Sequence, residues 1–260
     1  MDTLWPTLVE FLLRLCFGLA TAMLITPARW VTSGFFRVHL WVLMGLATLA
    51  SLAIYARLGE HRFTAIALAL AIAAAVASYV GAVVWMYEAR KLGKLFLAIV
   101  AGLFAATGAA VLHLPSISAP AIGTAAADFT SGAMVLGLFM AAMLLGHWYL
   151  NNPGMKLEPL QRLVILCGVA LAIRAAISLT GVAQLASLNL LPESTIGWSF
   201  LAFRWLVGIV GPAVMAWLTW ETLKVPNTQS ATGILYAAVT LTFLGELTAQ
   251  LLTRGLPVPI

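Results

Sequence analysis

Charged residues are scarce in this sequence. Only 9% of the 260 residues are Asp, Glu, Lys or Arg, while 62% are hydrophobic. Soluble domains carry charge on about a quarter of their residues. The shortage therefore excludes an ordinary soluble protein and predicts an all-α, polytopic integral membrane protein. The net charge of +5 includes no basic run with interleaved aromatics, so nothing predicts a nucleic-acid partner.

Cysteine is equally scarce. Cys16 and Cys167 are the two in the chain, and neither belongs to a CxxC, CxxCH or Cys/His cluster. This argues against an iron–sulfur site, a c-type haem and a disulfide framework. The N-terminus also lacks the basic region of a secretory signal, and Arg14 interrupts the first apolar run. We therefore expect the first segment to be a retained helix.

What the chain does have is long apolar runs. A helix needs about 20 apolar residues to cross a bilayer. On that measure the sequence predicts eight spans, at 4–25, 35–56, 63–86, 94–114, 128–150, 160–182, 197–222 and 229–253. The connections are too short for a soluble domain.

Basic residues in the connections set the expected orientation, because Lys and Arg are retained on the cytoplasmic side. The odd-numbered connections hold eight such residues: Arg29, Arg37, Arg90, Lys91, Lys94, Lys156, Arg162 and Lys224. The even-numbered connections and the C-terminus hold three: Arg57, Arg62 and Arg254. The bias predicts that both termini face outside, in a bacterial inner (plasma) membrane.

Short matches between the two halves suggest an internal repeat. Residues 21–25 (TAMLI) correspond to 141–145 (AAMLL) at similar depth in the first and fifth spans. We infer two tandem four-helix halves, at 1–115 and 127–254, with the second carrying most intramembrane charges. Halves of four helices have the same orientation, so their symmetry axis would lie along the membrane normal.

Five ionisable residues lie inside the predicted spans, all toward the outer side: Glu10, Arg14, Arg174, Arg204 and Glu246. A charge at the bilayer centre costs at least about 2.5 kcal/mol, so such residues pair or line a pathway. Glu10 and Arg14 are four residues apart, which allows a helical ion pair. Glu10 and Arg14 either neutralise each other locally or support a binding site together with Ser178. That site would be formed by Arg174, Arg204 and Glu246.

The second half carries the predicted binding residues Arg174, Arg204, Glu246 and Gln250. In the last span Glu246 and Gln250 belong to a polar stripe at helical spacing. In the seventh span Pro212 lacks an N–H, which predicts a free carbonyl at Gly208, one turn after Arg204. Three arginines against two acids leave one guanidinium for a carbonyl, an anion or a lipid headgroup. The alternative is an interhelical salt-bridge network that fixes helix register.

Two histidines, His39 and His147, are expected near the inner ends of the second and fifth spans. Paired histidines on opposed helices ligate b-type haem, but interfacial histidines are far commoner, and we favour the interfacial interpretation. No catalytic residue and no other metal ligand is predicted.

The final span, Gly245-Glu246-Leu247-Thr248-Ala249-Gln250-Leu251-Leu252, resembles the closing segment of the membrane anchors of DMSO reductase and related NrfD-like polysulfide reductase anchors. The predicted eight spans, outside termini and two bundles are also similar to that family. The resemblance implies a quinol-interacting anchor without haem that passes electrons to an iron–sulfur subunit. Glu246 is the matched residue, whereas Gln250 stands where the family usually has arginine.

These observations predict a membrane subunit of a respiratory or redox complex that takes part in electron transport. We expect it to meet quinone, quinol or lipid near the outer side and to anchor other subunits through its loops. It would be a non-catalytic or quinol-interacting part of an oxidoreductase. The alternatives are a small-solute or anion transporter with an arginine-lined site, and a structural scaffold subunit.

Overall fold

The computed structural model describes residues 4–59, 61–113, 122–152, 154–192, 194–225, 227–254, 256 and 258–260. The described secondary structure is entirely helical. The helices are α1 (Leu4–Ile25), α2 (Ser33–Arg57), α3 (Arg62–Met86), α4 (Arg90–Leu112), α5 (Ile122–Asn151), α6 (Glu158–Ser187), α7 (Thr195–Trp205), α8 (Gly211–Lys224) and α9 (Thr228–Thr253). Together they form eight apolar segments long enough to cross a membrane, which confirms the predicted all-α class and number of spans.

The start of the fifth span differs most from its predicted position. Its helix, α5, begins at Ile122, whereas the sequence predicted a start at Asp128. The small and apolar residues that precede Asp128 continue the helix, so Asp128 lies more than a turn inside it. This difference places an additional carboxylate within the membrane-spanning region.

The seventh span is interrupted just before Pro212, around the Gly208 carbonyl that the sequence predicted to be free. Between α7 and α8 the residues Leu206–Val210 form a π-helical turn, and the N–H of Gly211 donates to the Leu206 carbonyl, five residues earlier. A Cβ on Gly208 would lie 2.7 Å from the Cα of Gly245 in α9. The glycines therefore let the widened turn approach α9 closely. Such turns often occur at functional sites.

The helices pack in two groups of four spans. In the first group α1 contacts α2 and α4, and α3 contacts both of these neighbours. In the second group α5 contacts α6 and α9, and α8 contacts both of them. The groups meet mainly through α1 and α5. The predicted boundary between the halves falls partly on residues 114–121, which lie outside the described residues, and the division at 1–115 and 127–254 and the internal repeat stay predictions.

The Lys94 ammonium caps the C-terminal end of α1. Its Nζ donates to Met23 O at 3.0 Å, to Leu24 O at 2.5 Å and to Thr26 O at 2.5 Å. The last carbonyls of a helix have no partner within the helix, and a cation there also complements the helix dipole. The ammonium of α4 thereby joins α4 to the end of α1.

Replacing Lys94 with methionine should lower the free energy of unfolding by about 1.5–3 kcal/mol, the usual contribution of a hydrogen bond to a charged group. Thermal unfolding in detergent micelles measures the loss. Lys91→Met is the matched control, because Lys91 is exposed in the same turn. An equal change in both variants would contradict the capping role.

Candidate functional site

The five predicted charges come together in the structure, and Asp128 joins them. Glu10 and Arg14 extend from α1, Asp128 from α5, Arg174 from α6, Arg204 from α7 and Glu246 from α9. All six are buried, with exposures from 0% for Arg174, Arg204 and Glu246 to 6% for Glu10. With Arg254 at the end of α9, these residues form what we call the ion-pair network.

Asp128 bridges the two halves of the protein. Its Oδ2 accepts from Arg14 Nη2 at 2.5 Å, and its Oδ1 accepts from Arg174 Nη1 at 2.5 Å. Its backbone carbonyl accepts from Arg14 Nη1 at 3.0 Å. Ser131, one turn later, accepts from Arg174 at 3.3 Å. One carboxylate on α5 thus joins the arginine of α1 to the arginine of α6.

The Glu246 carboxylate forms a bidentate ion pair with the Arg174 guanidinium. Arg174 Nε donates to Oε1 and Nη2 donates to Oε2, both at 2.9 Å. Paired bonds of this kind are charge-assisted and fix the direction of both groups. Glu246 Oε2 also lies 3.9 Å from Arg14 Nη1. Arg14 and Arg174 therefore share the carboxylates of Asp128 and Glu246.

The first-span pair is part of the same network. Arg14 Nη2 donates to Glu10 Oε1 at 2.5 Å, as the spacing predicted, and the same nitrogen also contacts Asp128. Glu10 Oε2 accepts from Arg254 Nη2 at 3.4 Å. Partial burial lowers the pKa of Arg254, and the Glu10 carboxylate opposes that shift. The interpretation of Glu10 and Arg14 as a self-contained local pair is therefore wrong.

The charge count from the sequence also needs correction. Three arginines face three carboxylates once Asp128 is included, so the buried group of six is electrically neutral. Arg254 adds one positive charge at the partly exposed edge. Asp128 was missed because it stood at the first position of the predicted fifth span. The apolar stretch before it, Ile122 to Ala127, is the signal that could have placed it inside.

Arg204 is at one end of the network and is the least well bonded member. Its Nη2 lies 3.2 Å from Glu246 Oε1. Among the described residues, however, none of its three guanidinium nitrogens has a hydrogen-bond partner. The contact is therefore an ion pair without an aligned hydrogen bond. Leaving buried donors unsatisfied is costly, so Arg204 has unused capacity to bind an acceptor.

Two of the other predicted residues are also buried and unsatisfied within the described part of the chain. Ser178 is 0% exposed and Gln250 is 3% exposed, and neither side chain has a hydrogen-bond partner there. Each lies one helical turn from a member of the network, Ser178 after Arg174 and Gln250 after Glu246. These unsatisfied groups lie on α6, α7 and α9, and in the network Arg14 Nε and Arg254 Nε also have no hydrogen-bond partner among the described residues.

Gly132 makes space for the network. A Cβ at this position of α5 would lie 2.6 Å from Glu246 Oε2 and 2.7 Å from Arg14 Nη1. Real Cβ atoms do not approach polar atoms this closely. A larger residue at this position would displace the ends of the Glu246 and Arg14 side chains from their present contacts.

No family model matches this sequence, and comparisons with curated proteins and with solved structures likewise found no match. The resemblance to NrfD-like anchors accordingly stays a prediction.

The two histidines are bonded to different partners. His39 Nδ1 is 2.7 Å from the Phe35 carbonyl of its own helix, and its ring is 6.2 Å from that of Trp148. His147 Nδ1 is 3.3 Å from the Tyr236 hydroxyl. Within the described residues no cluster of three or more His, Cys, Asp or Glu side chains is placed to hold a metal ion.

An apolar groove lies between α6 and the seventh span, and none of the residues that line it is a member of the ion-pair network. Its volume is about 480 Å³. Ala175 and Ile209 line it; Ala175 follows Arg174 directly, and Ile209 belongs to the π-helical turn. Trp217 and Trp220 line the part farther along α8. The groove therefore extends from Trp217 and Trp220 in α8 to Ala175 in α6 and to Ile209, five residues after Arg204.

Proposed function

We propose that this protein is an integral membrane subunit of a respiratory or redox complex, and that it binds a quinone or quinol beside Arg204. The observation that carries the proposal is the Arg204 guanidinium, which is fully buried and has no described hydrogen-bond partner. A quinone carbonyl is an acceptor that this planar group of donors suits.

The charge balance beside Arg204 favours a neutral ligand over an anion. The six buried charges cancel, and the positive charge of Arg254 lies at Glu10, so an anion bound at Arg204 would add a negative charge in a region of low dielectric. A quinone carbonyl accepts hydrogen bonds and adds no charge. This distinction supports the redox subunit over an anion transporter.

The groove between α6 and the seventh span supports the same proposal. A quinone has a polar ring and a long apolar tail, and the groove is apolar along its length up to Ala175 and Ile209. A tail lying there would leave its ring near Ala175, next to Arg174 in α6, and near Ile209, five residues after Arg204 in the seventh span. The short connections between helices also suit an anchor whose catalytic partners are separate chains.

One observation favours a second function, that of a structural scaffold. Arg14 and Arg174 are each bonded to two carboxylates, which is the arrangement expected of residues that lock helices together. In a scaffold every member of the network would contribute to stability. In a binding protein Arg204 would contribute to affinity instead.

Arg204→Gln separates the two functions. We expect the variant to bind a fluorescent quinol analogue at least about tenfold more weakly, the effect of losing about 1.4 kcal/mol. We also expect it to lose less stability than the replacement of Asp128 by Asn, because Glu246 keeps its paired bonds to Arg174 and loses only the unaligned contact with Arg204. Fluorescence titration and thermal unfolding measure the two quantities.

Arg37→Gln is the matched control, since Arg37 is exposed near the start of α2. Unchanged analogue binding by Arg204→Gln, together with a large loss of stability, would refute the quinone site and favour the scaffold. Flux of a small anion through liposomes that contain only this protein would favour the transporter. Co-purification with a redox partner would support the proposed complex.

A further inference from the structure

A second group of charges surrounds Trp30, beyond the end of α1 and at the start of α6, and it includes no member of the ion-pair network. The Arg29 guanidinium is 4.2 Å from the centre of the Trp30 ring, and the Arg162 guanidinium is 4.9 Å from it. The Lys156 ammonium is 5.6 Å from the same ring. Three cations from the α1–α2 connection, the α5–α6 connection and α6 thus meet at one indole.

These cations are not neutralised by the protein. All three side chains are exposed, and the salt bridges of the described residues involve other groups. Glu158, one turn before Arg162, is the nearest acidic residue on that helix. Even when it is counted, the group keeps two positive charges. The Trp30 ring attracts the cations without using their hydrogen-bond donors.

A groove of about 340 Å³ opens next to this basic group. It lies between the end of α1 and the first turns of α6, and Arg162 is part of its wall. The remaining wall is mostly apolar and includes Ile25, Leu163 and Leu166. A cationic rim therefore adjoins an apolar channel at the end of two membrane-spanning helices.

We propose that the Arg29, Lys156 and Arg162 group binds the headgroup of an anionic phospholipid, with one acyl chain in the groove. The phosphate needs cationic donors and the chain needs an apolar channel, and the two features adjoin here. Basic pockets between helices on the cytoplasmic side recognise such headgroups. The distribution of Lys and Arg predicts that this is the cytoplasmic side. The site is independent of the proposed quinone function.

The test measures binding of fluorescent phosphatidylglycerol to the purified protein in neutral detergent micelles. Arg29→Gln and Arg162→Gln should each weaken binding about fivefold, the contribution of one basic residue near a membrane surface. The double variant should lose about 25-fold if the effects add. Arg57→Gln is the control, because Arg57 is 4.7 Å from the Trp5 ring at the other end of the helices and should bind as the unaltered protein does.

Two further measurements decide the ligand. Phosphatidylcholine should bind the unaltered protein and the double variant equally, because it has no net charge. Inorganic phosphate should not displace phosphatidylglycerol, because it cannot occupy the apolar groove. Displacement by phosphate, or equal phosphatidylglycerol affinity for the double variant and Arg57→Gln, would overturn the lipid site.

Discussion

Replacing Asp128 with asparagine is expected to lower the free energy of unfolding by about 3–5 kcal/mol, the usual cost of removing one partner from a buried ion pair. Asp128 bonds to Arg14 and Arg174 through different oxygens, each at 2.5 Å. The substitution keeps the size of the side chain but leaves two buried guanidinium groups with less compensation. It should also weaken the contact between the two groups of helices.

Thermal unfolding in detergent micelles measures this effect. Glu221→Gln is the control, because Glu221 and Lys224 form an exposed pair and such pairs contribute at most about 1 kcal/mol. If Asp128→Asn does not fold, Asp128→Glu retains the charge and should fold with an intermediate loss. Equal stability of Asp128→Asn and Glu221→Gln would contradict the bridging role.

A double-mutant cycle with Arg14→Gln tests whether Asp128 acts through Arg14. Residues that share a buried network have interaction energies of about 0.5–3 kcal/mol. We expect the double variant to lose less stability than the two single losses added together, because each single change already removes the contact between Arg14 and Asp128. Additive losses would indicate that the two residues act separately.

Gly137→Val is expected to cost at least about 3 kcal/mol, the upper part of the range for overpacking. Gly137 of α5 lies directly against the backbone of α1 at Gly18, where the two groups of helices meet. An added side chain would meet backbone atoms, which cannot rotate away. The helices would have to separate, and Asp128 would move away from Arg14.

Gly45→Val in α2 and Gly102→Val in α4 are the matched controls, since a Cβ at either position meets nothing within 4 Å. Both should change stability by less than about 1 kcal/mol. Unfolding in detergent micelles again gives the values. A loss at Gly45 or Gly102 equal to that at Gly137 would show that helix propensity, not the crossing of α1 and α5, determines the effect.

Much of the fold was predictable because the membrane imposes simple rules. A segment that crosses the bilayer must be apolar and must satisfy its backbone polar groups internally. Hydropathy therefore located all eight spans, and α1 has the predicted limits of 4–25. The least accurate limit was the start of α5, because small residues such as Gly123 and Ala125 are compatible with either a helix or a connection.

The candidate site was predictable only in part. Burial of Arg174, Arg204 and Glu246 followed from their positions in apolar runs, and the cost of burying charge implied partners. The identity of those partners could not be predicted, because hydropathy does not report how a helix is rotated or which helix lies next to it. Asp128 shows the consequence, because its contacts are with residues 114 and 46 positions away in the sequence.

The sequence by itself therefore determined that the chain crosses the membrane eight times and that five of its charges are placed within the bilayer. The tertiary structure decided that those charges form one network across α1, α5, α6, α7 and α9, that a sixth residue neutralises them, and that Arg204 is left with unused donors. The physical reason is that apolar surface sets the length of each span, whereas close contacts such as Gly18 with Gly137 set which helices meet.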